Sequence, residues 1–224
     1  AMVLERGCYV DMFGVCTSLT TAPELPATTL AVYCYGYMFS GCDALASLDN
    51  ANFTNATHFS MLFQNCINLT SCDVTGGENT TDAVSMFDGC KKIEVLGNFD
   101  LPNLTKLNNM FRHCSILRKI GYITVGNVAS SANLRLFGGA MNKLTEFGGL
   151  IDLKISLNDY NVFPNAPNLD YQSCINVLNG LYNFVGNGET PTSSQGKLKV
   201  HQNFLTTVGD EIAIGTDKGW TITA

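Results

Sequence analysis

A phrase of five residues recurs six times along this chain at nearly constant spacing. Methionine or leucine precedes phenylalanine in every copy, and in five copies a cysteine follows three places later. Successive phenylalanines are separated by 26, 24, 24, 24 and 26 residues, and they are Phe13, Phe39, Phe63, Phe87, Phe111 and Phe137. A fixed period of roughly 20–50 residues is typical of stacked repeat proteins. The sequence therefore predicts a repeat solenoid of about six coils over residues 1–160.

Two aliphatic columns follow each phrase. Three residues after the cysteine lie Leu19, Leu45, Leu69, Ile93 and Leu117, and six residues after it lie Ala22, Leu48, Cys72, Leu96 and Ile120. This is leucine-rich-repeat spacing, in which a strand begins near the second column. Upstream, Cys34, Met38 and Cys42 are four apart, which predicts one face of a short helix. We therefore predict a leucine-rich repeat of 24–26-residue coils, each with a short helix and a short strand.

Residues 161–224 lack the phrase and are predicted to form a C-terminal α/β cap. One face of an amphipathic helix is predicted from Leu169, Cys174, Val177, Leu178, Leu181 and Val185. Strands are predicted at 197–201 and 220–223, with a second helix at 203–215 between them. Because a stack of repeats ends in an apolar face, a capping region is expected to cover it.

Charge and composition exclude some classes of partner. The formal net charge is −6, which disfavours nucleic acid, since phosphate binding requires clustered lysine and arginine. No apolar run of about 18 residues is present, so no membrane-spanning segment is predicted.

The chain also opens inside a repeat, because Leu4, Cys8 and Met12 recur 26 residues later. We expect a fragment with a truncated N-terminus, so the lack of a visible signal peptide says little about compartment.

The first repeats resemble a known family. Cys8-Tyr9-x-x-Met12-Phe13 and the segment 16–30 closely resemble the BspA-like leucine-rich repeat family, as do residues 98–100 and 109–111. The resemblance spans residues 4–147, and the ending 217–221 resembles tails of related proteins from gut bacteria and their phages. It implies a secreted or surface-displayed attachment protein, extracellular or at the cell surface, with no shared catalytic residues.

These observations favour a binding function. We expect a non-enzymatic binding module of a bacterial surface or secreted protein, used for adhesion to a host protein, cell or glycan. The alternative is a tail or baseplate component of a phage or prophage, structural or receptor-binding, located in the virion. An enzyme is not predicted, because no paired-carboxylate motif, G-x-S-x-G or P-loop is present. No cofactor is expected, and the oligomeric state stays open.

The nine cysteines raise the question of metal binding or disulfides. There is no C-x-x-C pair, and cysteines 24–26 apart lie in different coils, so no metal site is predicted. Disulfides between adjacent coils are geometrically possible. Buried free thiols are favoured, since Cys72 takes a position that Leu48 and Leu96 fill in other repeats. The pair Cys8 and Cys34 is left open as an exception.

Basic residues concentrate in two adjacent repeats of this acidic chain. They are Lys91, Lys92, Lys106, Arg112, Arg118 and Lys119. Stacking would place them on neighbouring coils, which predicts a ligand-binding patch for an acidic or sulfated glycan. The alternative is an ordinary solvated face balanced by Glu94 and Asp100. His113 adjoins Cys114, but neighbours on a helix do not face each other, so a solvent-facing histidine is expected.

Overall fold

The computed structural model describes residues 5–25, 31–48, 53–72, 74, 76–126, 128, 136–137, 141–151, 166–191 and 196–224. The predicted boundary at 160 lies outside these residues. The strands are β1 Ser47–Leu48, β2 Ser71–Cys72, β3 Val95–Leu96, β4 Lys119–Ile120, β5 Ile123–Thr124, β6 Glu146–Phe147, β7 Leu150–Ile151, β8 Lys197–Lys199 and β9 Thr221–Thr223. The helices are α1 Tyr171–Asn179, α2 Gln202–Val208 and α3 Ala213–Thr216, with a 3-10 turn at Gly209–Ile212.

The strands of successive repeats pair in parallel. They form small sheets in the order β1-β2, β3-β4-β6 and β5-β7, and β8 pairs with β9 in the C-terminal region, also in parallel. Leu96 lies opposite Ile120, and Ile120 lies opposite Phe147. The second aliphatic column therefore supplies the inward, buried residue of β3 and β4, and Phe147 takes the same place in β6. Parallel neighbours need a long crossover connection, and here one complete repeat provides it.

The phenylalanines of the phrase form a column of stacked rings. Phe39, Phe63 and Phe87 are fully buried, and neighbouring centroids are 5.9 and 5.5 Å apart. The ring planes of the first of these pairs differ by only 3°. The contacts continue through the pairs Phe13–Phe39, Phe87–Phe111 and Phe111–Phe137. The prediction of an internal phenylalanine column is confirmed, except that Phe13 in the first repeat is only partly buried.

The phrase itself folds as consecutive turns, so the predicted short helix is wrong. The N–H of Phe63 donates to the carbonyl of Met86 in the next repeat at 3.0 Å, whereas that of Leu62 donates within its own repeat to Phe59. An α-helix would direct each N–H four residues back along its own chain. Because alternate amides bond to the neighbouring repeat, they are not available for a helix. Equivalent bonds join Phe13 to Met38, Phe39 to Leu62, Phe87 to Met110 and Phe111 to Leu136.

This chain of turns requires residues with positive φ about every fourth position. In the second repeat they are Tyr33, Tyr37 and Gly41, with φ of 66°, 59° and 71°. Among the described residues the non-glycine cases are Asp11, Val15, Tyr33, Tyr37, Asn55, Met61, Asn65, Ser85, Asn109 and His113. Glycine, asparagine and aspartate reach this region readily, whereas other L-residues are destabilised there by roughly 1–2 kcal/mol.

The cysteines of the phrase form a second buried column. The Sγ atoms of Cys66, Cys90 and Cys114 donate to the carbonyl of the phenylalanine in the preceding repeat at 3.0–3.1 Å. Cysteine suits this position because it is small and apolar yet carries a weak donor. Burial raises the pKa of Cys66 and of Cys114 to about 12, which keeps both as unreactive thiols.

The helix α1 takes the place of a further strand beside β6. The N–H of Phe147 donates to Ser173 Oγ at 2.7 Å, and Asn176 Nδ2 donates to the Phe147 carbonyl at 3.4 Å. Asp170 caps the helix by accepting from the N–H of Ser173 at 2.7 Å. Side chains of α1 thus satisfy backbone groups that an exposed edge strand would leave unpaired. That residues 161–224 act as a cap stays a prediction that these contacts support.

The remaining helices pack around α1, and α2 and α3 both contact it. Phe204 of α2 and Trp220 before β9 are buried in the shared core. Within the described part of the chain, no helix is both long enough and apolar enough to cross a bilayer.

Truncation of one stacked ring tests the column. Phe87→Ala should lower the free energy of unfolding by about 3–5 kcal/mol, because it leaves a cavity between two other rings. Val95→Ala is a suitable control, since Val95 is 39% exposed in the following strand. Denaturant unfolding with equal midpoints for both variants would contradict the column.

Substitutions at one position with positive φ, in two successive repeats, test the turns. Val15 and Gly41 are equivalent, have φ of 57° and 71°, and Val15 is 73% exposed. Val15→Gly should stabilise the protein by about 1 kcal/mol, because it relieves the strain of a β-branched residue at positive φ. Gly41→Ala should destabilise it by a similar amount. Thermal unfolding in which both substitutions destabilise would argue against these turns.

Thiol labelling tests the cysteine column. All nine cysteines are free, and only Cys8 and Cys16 are exposed. We expect a thiol reagent at neutral pH to modify at most two thiols of the native protein rapidly and all nine after unfolding. Rapid native modification of five or more would refute the buried column.

Candidate ligand-binding groove

An open polar groove lies where the ends of β3, β4 and β6 meet α1. Its volume is about 430 Å³. It is lined by Asn98, Lys119, Ile120, Gly121, Tyr122, Glu146, Phe147, Gly148, Asp170, Gln172, Ser173 and Asn176. Asn98 and Tyr122 each lie two residues beyond a strand, in adjacent repeats. The in-register pairing of repeats therefore makes neighbours of residues that are far apart in sequence.

Two glycines form the floor of the groove. A Cβ on Gly148 would collide with the backbone nitrogen of Tyr122, and a Cβ on Gly121 would collide with Asn98 Oδ1. Only glycine allows the backbones of adjacent repeats to approach this closely. The floor is therefore partly exposed backbone, with side chains around it.

Hydrogen bonds fix the amide side chains around the floor, and each of these bonds uses only one of the two polar atoms of the amide. Asn98 Oδ1 accepts from the N–H of Tyr122 at 3.1 Å, and Gln172 Nε2 donates to Asn176 Oδ1 at 3.0 Å. Among the described residues, the Asn98 amino group and the Gln172 carbonyl oxygen have no hydrogen-bond partner. Such oriented donors and acceptors can bind the hydroxyl and amide groups of a ligand.

Ion pairs neutralise the basic residues nearest the groove. Lys119 Nζ lies 2.6 Å from Glu146 Oε2, and Arg118 lies 3.7 Å from both Glu146 and Glu94. The groove itself holds one formal positive charge, on Lys119, and two negative charges, on Glu146 and Asp170. The groove is therefore not cationic.

The six predicted basic residues are all exposed but differ in their partners. Arg118 and Lys119 are paired as described, and Lys106 Nζ lies 3.6 Å from Asp82 on another part of the repeat. No ion-pair partner is found for the other three within the described residues, and these are Lys91, Lys92 and Arg112. Only Lys119 of the six lines the groove. That any of them binds a ligand stays a prediction.

The histidines occupy structural positions. His113 Nδ1 lies 3.0 Å from Asp88, and its side chain is 58% exposed, which agrees with the predicted solvent-facing residue. His58 packs against the Tyr33 ring at 3.8 Å between centroids, and burial lowers its pKa below the usual value. His201 caps α2 by accepting from the N–H of Asn203. Within the described residues, no three of His, Cys, Asp or Glu are grouped to hold a metal ion.

Sequence reasoning missed most of the groove. It identified Lys119 from the basic cluster, but it did not identify Asn98, Tyr122, Gln172 or Asn176. Position in the repeat was the one signal that could have found two of them. Asn98 lies eleven residues after Phe87, and Tyr122 lies eleven residues after Phe111. Gln172 and Asn176 lie beyond the repeats, so only the packing of α1 on β6 could bring them here.

Comparison with known proteins found no matching family model, no similar curated protein and no similar solved structure. The resemblance to the BspA-like leucine-rich repeat family therefore stays a hypothesis that rests on the residues quoted above.

Proposed function

We propose that this chain is a non-enzymatic glycan-binding module of a bacterial surface or secreted protein, used in adhesion. The proposal includes a leucine-rich-repeat solenoid of the BspA-like type and an extracellular or cell-surface location. The pairing of equivalent positions in successive repeats supports the solenoid. The observation that carries the function is the groove of about 430 Å³ lined by amides, carboxylates and one tyrosine.

The chemistry of the groove suits a sugar more than a strongly anionic ligand. Amide and carboxylate groups can donate to or accept from neighbouring hydroxyls. Tyr122 lines the groove and is half-buried, and an aromatic ring beside polar groups suits the mixed surface of a pyranose. Because Lys119 is paired with Glu146, it acts as a local hydrogen-bond donor more than as an attractor of net negative charge. A phage component with the same groove would recognise its receptor by the same chemistry.

Affinity measurements on variants can show whether the ligand binds in the groove or at the basic residues outside it. A glycan array should identify a neutral or zwitterionic ligand, and Tyr122→Ala or Gln172→Ala should lower its affinity at least about tenfold, since each removes a contact of about 1.4 kcal/mol or more. Tyr182→Ala is the matched control, because Tyr182 is also partly buried but hydrogen-bonds to Glu189, which is not among the groove residues. Binding should change little between low and physiological salt.

The lysine pair provides the opposing test. Lys91→Glu with Lys92→Glu should leave the affinity unchanged, because neither residue lines the groove. Loss of binding in this double variant, with retention in Tyr122→Ala, would move the site to the unpaired cations. Binding restricted to sulfated or acidic glycans and abolished by salt would contradict a groove-based, hydrogen-bonded site.

A further inference from the structure

Two thiols in the first two repeats lie in direct contact. Cys8 Sγ and Cys34 Sγ are 3.0 Å apart, Cys8 is exposed and Cys34 is buried. Both are free cysteines, and each lies five residues before the phenylalanine of its phrase. The next repeat has His58 at this position, so the pair does not continue as a column.

The pair differs from the buried cysteine column in what its sulfurs contact. In that column the Cys42 thiol donates to the Phe13 carbonyl at 3.0 Å, as its equivalents do in later repeats. The shortest contact of Cys34 Sγ is instead with Cys8 Sγ, and the Glu5 carbonyl lies further away at 3.7 Å. The two sulfurs are in contact, about 1 Å beyond the length of an S–S bond, and one of them belongs to an exposed residue.

We propose that Cys8 and Cys34 are a thiol–disulfide site, in which a reversible bond fastens the first repeat to the second under oxidising conditions. This inference is independent of the groove.

The oxidant is a low-molecular-weight disulfide such as glutathione disulfide. The exposed Cys8 thiolate attacks one sulfur of the oxidant, so a mixed disulfide forms, the oxidant's S–S bond breaks and one thiolate leaves and takes up a proton. Cys34, which is in contact, then attacks Cys8 Sγ as its thiolate. The bond between Cys8 Sγ and the small thiol's sulfur breaks, and the second small thiolate leaves and takes up the proton that Cys34 lost. Two protein thiols are oxidised, and one small disulfide is reduced to two thiols.

The bond would act in a repeat that is less well buried than the one after it. Phe13 and Leu19 of the first repeat are only partly buried, and Met12 is 55% exposed, whereas their equivalents in the second repeat are buried. A crosslink between residues 8 and 34 restricts the unfolded chain and so opposes local opening of this repeat. Local desolvation of its thiol, followed by the contact with Cys34, raises the pKa of Cys8 to about 11. Since only the thiolate reacts, oxidation should accelerate about tenfold per pH unit from neutral to mildly alkaline pH.

The test exposes the reduced protein to glutathione disulfide and follows it by intact mass and peptide mapping. We expect a loss of two hydrogens, a peptide that links Cys8 to Cys34, and amide exchange in residues 5–16 slowed at least about tenfold. Cys16→Ser is the matched control, since Cys16 is the other exposed cysteine, and it should behave like the parent. Cys8→Ser should form no protein disulfide and show no change in exchange.

Three results would overturn the proposal. The first is a glutathione adduct on Cys8 that Cys34 does not displace. The second is no reaction over the whole pH range, and the third is a crosslink that joins another pair, such as Cys16 and Cys42. Because the mass and mapping data come from the parent protein, none of these outcomes depends on whether a variant folds.

Discussion

The hydrogen bonds between alternate amides of one repeat and the carbonyls of the next determine most of this structure. They run from Phe39 to Leu62 and from Phe63 to Met86 at 3.0 Å. Half of the turn N–H groups of each repeat donate to carbonyls of the next repeat. These bonds hold the two backbones at a spacing at which the phenylalanine rings also stack. The same requirement places residues at positive φ, where the sequence supplies Gly41 and Asn65 at low cost but also Met61 at higher cost.

The groove forms where the last paired repeats meet helix α1, and its shape depends on the same backbone register between adjacent repeats. Gly121 and Gly148 let three repeats approach at its floor, while Ser173 and Asn176 bond to the edge of β6 in place of a strand. Polar residues that solvate a regular repeat are thereby gathered into a concave surface. The carboxylate of Glu146 holds Lys119 within the groove and removes the cationic character that a count of basic residues suggests.

Much of the interior could be predicted from sequence, because burial repeats at fixed places. The spacing of Phe63 and Phe87 identifies an apolar column, and Leu96 and Ile120 identify the inward residue of each strand. The conformation of the phrase could not be predicted, since a residue every fourth position suits both a helical face and this series of turns. The groove and its ion pairs were not predictable either, because they depend on the exact register between repeats and on where α1 packs.

Through-hydrogen-bond scalar couplings in NMR spectra of the isotope-labelled protein test the central claim most directly. The structure predicts a correlation between the amide nitrogen of Phe63 and the carbonyl carbon of Met86, and the same for Phe39 with Leu62 and Phe87 with Met110. A helical phrase would instead connect Phe63 to Phe59, four residues earlier in its own repeat. Correlations of that second kind, with none between repeats, would contradict the account.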